Sequence, residues 1–286
     1  MSDRLPSSIN YHITERCNYQ CRFCFAYYHQ YSKELCLKDA LKLIDILAEA
    51  GCKKLNFAGG EPTMISHLPL LINHAKKNNL FVSLISNGSG ITEGFIESCK
   101  DSIDLIGLSI DSKLNSIEIA LGRTLKKSYQ RNSDFSHVDL INNCSKLIKK
   151  YGINLKINTV LTDLNWKEDL TKLILELNPI RWKILEVLYI KKINERFFNT
   201  HKSLRPWQID IFKKKHQALN PIFESKDLII DSYCMITPDG RFYQNSNHLH
   251  NYSKSILKIG VKEAFNQIQF SEIKYKTRDG QYFKRI

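Results

Sequence analysis

Three cysteines stand within eight residues, Cys17, Cys21 and Cys24, in the run Cys-Asn-Tyr-Gln-Cys-Arg-Phe-Cys. Thiolates so spaced in a loop can turn toward one point, and iron–sulfur clusters take thiolate ligands, usually four. Three ligands leave one iron of a [4Fe–4S] cube open to a chelating substrate or cofactor. A zinc site would need a fourth Cys or His nearby, and His12 and His29 are the sequence neighbours that offer one. The other five cysteines, Cys36, Cys52, Cys99, Cys144 and Cys234, lie in apolar or helical surroundings and read as small buried hydrophobes.

Further polar and glycine-rich segments follow β-rich runs. Ala58-Gly59-Gly60-Glu61-Pro62 comes after the second run, and its glycines let backbone approach a ligand closely. Ser86-Asn87-Gly88 follows the third run and Ser109 ends the fourth. The elements that position them alternate in type: strands are expected over residues 9–13, 54–57, 81–86, 103–110, 155–160 and 181–187, with helices over 37–50, 137–151 and 166–177. In the first helix Leu37, Leu41, Ile44 and Leu47 share a face and Gly51 ends the segment. Six such units predict an α/β fold, a partial (β/α)6 TIM-type barrel, with chemistry at the C-terminal ends of its strands. The barrel core is expected over residues 1–187, with residues 188–286 as a C-terminal extension capping it. No internal repeat or low-complexity tract is apparent.

The C-x3-C-x2-C spacing, with an aromatic residue before the last cysteine, resembles the signature of the radical S-adenosylmethionine (SAM) superfamily. That resemblance implies a [4Fe–4S] cluster on Cys17, Cys21 and Cys24 whose open iron is chelated by SAM. The reduced cluster would split SAM into methionine and a 5′-deoxyadenosyl radical. It further implies that Phe23, Gly59, Gly60, Glu61, Ser86, Asn87 and Ser109 contact SAM, with Phe23 near the adenine.

The likeness reaches a particular family. Asn10-Tyr11-His12, the cluster run through Phe25, residues 54–62, 86–89 and 109–112, Lys156-Ile157-Asn158, residues 178–183, Asp231-Ser232-Tyr233 and residues 253–257 together resemble viperin-type enzymes of the prokaryotic kind. These enzymes take the 4′ hydrogen of a ribonucleoside triphosphate and lose its 3′ hydroxyl as water. The product is a 3′-deoxy-3′,4′-didehydro nucleotide, a chain terminator, and the implied role is antiviral, here antiphage, defence. By the same resemblance Lys54, Lys156, Arg181 and Lys183 hold the phosphates, Asn10, Asn158 and Tyr233 line the nucleotide pocket, and Tyr233 is a candidate catalytic donor of the late hydrogen or electron. A triphosphate needs several converging cations, with Arg as a fork and Lys as a point charge; all four sit at or beside expected strands, which lets them converge. Ala58 stands where the animal enzymes carry serine, the tyrosine-rich residues 26–37 match them poorly, and their long amphipathic N-terminal helix is absent.

Composition bounds the rest. At 286 residues and 43% hydrophobic the chain can bury a sizeable core. The apolar runs fall far short of the roughly 20 residues a membrane span needs, and residues 1–10 lack the pattern of a secretory signal, so a cytoplasmic protein without membrane association is expected. A formal charge of +13 suggests an anionic partner. The lysine pairs 126–127, 149–150 and 213–215 read as solvated helix faces, and no aromatic-and-basic repeat for stacking bases is present, so nucleic acid is not the expected partner. The expected partners are a nucleoside triphosphate and an external one-electron reductant, with a monomer as the working oligomeric state. The competing readings are a radical SAM enzyme acting on a peptide or an RNA, and a zinc-stabilised basic module without enzymatic activity.

Overall fold

A computed structural model describes residues 5–126 and 135–286. Lys127 and the first four residues of the N-terminal stretch read above lie outside them. Seven strands, β1 (Ser8–His12), β2 (Lys54–Ala58), β3 (Phe81–Ser86), β4 (Leu105–Ser109), β5 (Asn154–Leu161), β6 (Arg181–Glu186) and β7 (Ile222–Glu224), follow one another across a sheet. Each pairs in parallel with the next. Helices α1 (Leu37–Glu49), α2 (Leu68–Lys77), α3 (Glu93–Cys99), α4 (Asn115–Ala120), α5 (His137–Lys150) and α6 (Thr171–Leu177) alternate with them. Beyond β7 the chain returns to the opposite edge: β8 (Met235–Ile236) pairs in parallel with β1, and β9 (Arg241–Ser246) and β10 (Leu249–Ser255) add an antiparallel hairpin. The sheet ends on β10 and β7, which do not pair, so it is a barrel left open.

The strand sequences explain why this sheet has two buried faces. In β2 all five residues are buried. Leu55 and Phe57 enter the large apolar core under the helices. Lys54 and Asn56 turn to the other side, where Asn56 Oδ1 accepts from Ser83 Oγ at 2.8 Å. Alternation of side chains along a strand therefore separates an apolar layer from a polar lumen, and the polar side chains are sheltered by the barrel wall rather than by solvent.

All six expected strands are present. The fourth begins at Leu105 rather than 103, because the Ile103 amide still bonds the Cys99 carbonyl at 3.0 Å and belongs to the turn after α3. The helix expected over 166–177 starts only at Thr171, whose amide is capped by Asp169 Oδ1 at 2.9 Å. Gly51, at φ +96°, ends α1 in a conformation that favours glycine. The C-terminal extension contributes four strands to the sheet, which the polar, irregular run at 247–253 does not suggest. That run is the turn of the β9–β10 hairpin and the first five residues of β10, with Asn247 and His248 at φ 51° and 62° as in a two-residue primed turn. Cys52, Cys99, Cys144 and Cys234 are buried as expected, whereas Cys36 is exposed at the start of α1. Among the described residues no helix is long and apolar enough to cross a membrane.

Phe57 is fully buried in mid-sheet. Phe57→Ala should lower the unfolding free energy by about 3–5 kcal/mol in urea titrations, while the same truncation at exposed Leu70 should stay within about 0.5 kcal/mol of the parent.

Candidate active site

The cluster loop leaves β1 and is strapped to the segment after α4. The Gln20 and Arg22 amides bond the carbonyls of Gly122 and Leu121 at 3.2 and 2.9 Å, and the Lys126 amide bonds the Asn18 carbonyl at 2.9 Å. Tyr19 is buried in this seam, its hydroxyl 3.0 Å from His137 Nδ1, while His137 Nε2 reaches the Ser109 carbonyl at 2.8 Å. One histidine at the start of α5 thus ties the loop to the end of β4. Burial and nearby Arg123 lower the His137 pKa to about 3, so the ring is neutral and donates through one nitrogen only.

Within the loop the three thiols are half-buried and unpaired. Cys17 Sγ accepts the Tyr19 amide at 3.3 Å and Cys24 Sγ accepts the Ala26 amide at 3.4 Å. Burial pushes the Cys17 thiol up to about 11, and Cys21 and Cys24 also rise for the same first reason, with Arg123 opposing the rise at both. The Arg123 guanidinium lies 5.5 Å from the Phe23 ring centre and pairs with Asp111 at 2.5 Å and Glu118 at 3.6 Å, all three side chains being buried. Phe23 packs edge-on against Phe197 at 6.0 Å, and Asn194 Nδ2 donates to its carbonyl at 2.9 Å.

The loop after β2 sits directly against the cluster loop. A Cβ on Gly60 would lie 2.2 Å from the Arg16 carbonyl oxygen, and one on Gly59, itself at φ +136°, 2.4 Å from that of Thr14; only glycine permits so close an approach. Glu61 is fully buried and its carboxylate faces inward, accepting from the Asn87 amide (2.7 Å), Ser86 Oγ (2.8 Å), Thr63 Oγ1 (2.6 Å) and the Thr63 amide (3.2 Å). Glu61 is therefore the brace that holds the loops after β2 and β3 together. Asn87 Nδ2 continues the chain of contacts to Asn18 Oδ1 at 2.9 Å and stands 3.9 Å from Cys17 Sγ. Phe23, Gly59, Gly60, Glu61, Ser86, Asn87 and Ser109 are all gathered at one rim by these contacts.

A second group occupies the lumen below that rim. Lys54, Lys156 and Arg181 surround the ring of Tyr282, at 3.9, 5.6 and 4.1 Å from its centre, and Lys54 Nζ also bonds the Tyr282 hydroxyl. Lys183 Nζ lies 2.5 Å from Glu224 Oε1 and 2.5 Å from the Tyr233 hydroxyl, which itself donates to Glu224 Oε2. Arg278 stacks 3.6 Å from the Tyr233 ring centre and 3.7 Å from Glu224. Arg181 pairs with Asp279 at 2.8 Å, and exposed Arg285 shares that carboxylate. Five cations, Lys54, Lys156, Arg181, Lys183 and Arg278, thus face two carboxylates, Glu224 and Asp279. Burial, then the neighbouring cations, hold Lys54 and Lys156 well below the usual lysine range, and burial brings Lys183 down to about 8. Asn158 pairs in register with Lys183 and leaves its Oδ1 buried without a partner, while Asn10 on β1 pairs with Asn56.

A family model for the radical SAM superfamily matches residues 11–177. An S-adenosylmethionine-dependent nucleotide dehydratase of Flammeovirga pacifica is 32% identical over 96% of this chain and 95% of its own length, and the protein of that name with the suffix RSAD2 from Danio rerio is 33% identical over 97% and 78%. The chain belongs to this nucleotide-dehydratase family of the radical SAM superfamily. A relative of the same name from Lacinutrix mariniflava is 36% identical, and the chain spans 59% of its length. The solved structure of anSMEcpe with bound AdoMet and a peptide superposes with a TM-score of 0.68 at 17% identity, covering 97% of this chain and 87% of that one. Coproporphyrinogen III oxidase of Escherichia coli gives 0.59 at 14%, covering 98% and 75%. These two likenesses concern the fold.

Radical SAM enzymes use a [4Fe–4S] cluster and SAM. The cluster loop fits that cofactor: it offers three free thiols, two of them already receiving amide hydrogen bonds of the kind that tune cluster sulfurs. Cys17, Cys21 and Cys24 would hold the cluster. The two histidines weighed for zinc go elsewhere. His12 Nδ1 is taken by the hydroxyls of Tyr28 and Tyr243, the second at 3.2 Å, and His29 is exposed on a short turn. Among the described residues no three His, Cys, Asp or Glu groups sit close enough to ligate a single ion; a cube presents three separate corners and asks for no such convergence.

Sequence reading did not single out Tyr19, Arg123, His137, Glu224, Arg278 or Tyr282. None of them carried a distinctive local signal: Arg278, for one, lies in the highly charged run Lys274-Tyr275-Lys276-Thr277-Arg278-Asp279.

Replacing Cys17, Cys21 or Cys24 by Ala should abolish the iron content and the SAM cleavage of anaerobically reconstituted protein, whereas Cys144→Ala, in the apolar core, should retain both. Arg123→Ala leaves Asp111 and Glu118 buried without their counter-ion and should cost about 3–5 kcal/mol of stability, measured by urea unfolding.

Proposed function

We propose that this enzyme dehydrates a ribonucleoside triphosphate to its 3′-deoxy-3′,4′-didehydro analogue, and that the product, a chain terminator, serves antiviral, in a prokaryote antiphage, defence from the cytoplasm. With its cofactors bound, the site supplies a 5′-deoxyadenosyl radical that takes the 4′ hydrogen of the sugar. The protein's own residues bind, orient and neutralise. The observation that carries the reading is a set of five cations facing two carboxylates in the lumen beneath the cluster loop, four of them buried and Arg181 nearly so. Burying like charges together is unfavourable unless an anion joins them, and a triphosphate brings the missing charge at the missing place.

In this reading Lys54, Lys156 and Arg181, ranged around Tyr282, take the phosphates, and Arg278 extends that set from the C-terminal segment. Lys183 stands between this group and Tyr233, its charge already matched by Glu224. Asn158 Oδ1, buried and unpartnered, accepts a hydrogen bond from the sugar, and Asn10 lines the same wall from β1. The Gly59-Gly60 backbone, held by Glu61, and the Ser86, Asn87 and Ser109 ends of β3 and β4 receive SAM, with Phe23 beside its adenine. An external one-electron reductant completes the turnover. The sugar is positioned between a source of radical above and a phosphate anchor below, so regiochemistry follows from where the triphosphate is pinned.

The test is anaerobic incubation with SAM, dithionite and nucleoside, mono-, di- or triphosphate, followed by mass spectrometry. The triphosphate should stimulate 5′-deoxyadenosine formation and give a product lighter by one water, and the nucleoside should do neither. Lys156→Ala should weaken triphosphate binding by roughly 10- to 150-fold, the equivalent of about 1.5–3 kcal/mol for one charged contact. Equal activity on nucleoside and triphosphate would contradict the proposal. The pH dependence has a fixed sign. Lys183 is lowered to about 8 by burial, so it is charged below that pH and loses charge above it; triphosphate affinity should fall as pH rises through 8.

A further inference from the structure

Tyr233, Glu224 and Lys183 form a closed triangle in which every side is a short polar contact, and the three come from different parts of the chain. Lys183 lies on β6, Glu224 ends β7 and Tyr233 precedes β8. The Tyr233 hydroxyl donates to Glu224 Oε2, and Lys183 Nζ lies 2.5 Å from both the phenolic oxygen and Glu224 Oε1. Glu224 is completely buried. Among the described residues it is the sole acceptor of the Tyr233 proton, and Arg278 stacks on the ring at 3.6 Å from its centre.

Such a triangle is more than charge compensation. A carboxylate needed only to offset Lys183 and Arg278 has no reason to hold a phenol proton as well, and the phenol stands among the lumen cations to which the proposed function brings the nucleotide. Oxidising this half-buried phenol while it keeps its proton would place a further positive charge among five cations, which their mutual repulsion opposes. Electron loss from Tyr233 is therefore feasible only if its proton leaves at the same time, and Glu224 is already in hydrogen-bond contact to take it.

We infer that Glu224 is the proton acceptor for Tyr233 and so the positioning residue that lets Tyr233 deliver the last electron of the dehydration. The inference rests on the nucleotide-dehydration reading above and assigns a role to a residue outside it. Once the 3′ hydroxyl has left with a proton from solvent as water, the sugar is a radical cation one electron short of the 3′,4′ alkene. Tyr233 gives that electron, its O–H bond breaks, and the proton moves to the Glu224 carboxylate. Tyr233 is left as a neutral phenoxyl radical. The external one-electron reductant then returns an electron and Glu224 returns the proton, which restores the starting pair. Lys183, bonded to both partners, keeps the geometry fixed while the negative charge leaves Glu224.

The experiment measures product formed per 5′-deoxyadenosine in single turnovers of the reconstituted enzyme with whichever of ATP, CTP, GTP and UTP stimulates most 5′-deoxyadenosine in the parent. It compares the parent with Tyr233→Phe, Glu224→Gln and Glu224→Asp, with freeze-quenched samples examined by electron paramagnetic resonance. This ratio is insensitive to weakened binding, which lowers both quantities. Tyr233→Phe and Glu224→Gln should each lower the ratio by about 10²-fold, the scale of one positioned proton acceptor. Glu224→Asp should recover part of it, and a tyrosyl signal should appear in the parent and vanish in both depleted variants. A second readout needs no turnover. With 3,5-difluorotyrosine in place of Tyr233, its fluorine resonance in the oxidised holoenzyme should titrate about one unit or more lower in the Glu224→Gln background, because a neighbouring negative charge has been removed. A Glu224→Gln variant with the parental ratio and an unchanged fluorine titration, beside an impaired Tyr233→Phe, would overturn the role of Glu224 alone. A parental ratio in Tyr233→Phe would remove Tyr233 as the donor. A parent that makes no 5′-deoxyadenosine with any triphosphate would overturn the dehydration reading itself.

Discussion

Positive charge sheltered from water, with too few carboxylates to match it, is the constraint around which this molecule is arranged. Lys54, Lys156, Arg181 and Lys183 project from three strands into one lumen, and Arg278 joins them from the C-terminal segment. Each would be more stable in solvent. They are held inside because the opposite faces of the same strands, Leu55 and Phe57 on β2, Leu155 and Ile157 on β5, Trp182 and Ile184 on β6, are buried in the apolar core, and alternation along a strand gives the chain no other place to put the polar residues. The aromatic rings of Tyr282 and Tyr233 offset part of the cost by lying against the cations. Glu224 and Asp279 offset more. What remains is an electrostatic vacancy for an anion.

The rim above depends on a different kind of constraint. One buried carboxylate, Glu61, accepts four hydrogen bonds from the loops after β2 and β3, and those loops touch the cysteine loop through Asn87 and Asn18. His137 and Tyr19 tie the same loop to the end of β4. Burial raises the Glu61 pKa and the hydrogen bonds from Asn87, Thr63 and Ser86 oppose that rise, so the brace works only while its donors are in place. The rim is built from the loops that follow the strands, whereas Lys54 and Arg181 stand at the first residues of β2 and β6 and Lys156 and Lys183 in the first half of β5 and β6, so the charge lies deeper in the barrel than the rim.

Much of this was legible in the sequence where a residue's local pattern reports its role. The cysteine spacing, the Gly-Gly-Glu-Pro turn and the six parallel strands all announce themselves through periodicity and position. The lysines on β2, β5 and β6 are visible through the family resemblance and through their place at or beside expected strands. Partners supplied from far along the chain were not legible. Tyr282 reaches Lys54 across 228 residues, and nothing around Tyr282 distinguishes it from a surface tyrosine. Glu224 ends a strand of three residues, too short for alternation to show, and β9 reads as irregular because its consecutive Gln244, Asn245 and Ser246 are all buried, which breaks the apolar–polar alternation of a strand. The brace role of Glu61 was also hidden, since the motif gives its position and only the fold gives the direction of its carboxylate.

The central claim, that the lumen holds uncompensated buried cations suited to a triphosphate, is tested most directly by calorimetric titration of the holoenzyme, without SAM, at pH 8. Two buffers of different ionisation enthalpy would be used, with nucleoside mono- and triphosphates as ligands. At that pH the terminal phosphate is already ionised, so the proton balance reports on the protein. Burial brings Lys183 down to about 8, so it is only partly charged at that pH, and an arriving anion raises it again. The account predicts tighter binding of the triphosphate than of the monophosphate, accompanied by net proton uptake that is larger for the triphosphate. Equal affinities for the two ligands with no proton uptake would contradict it.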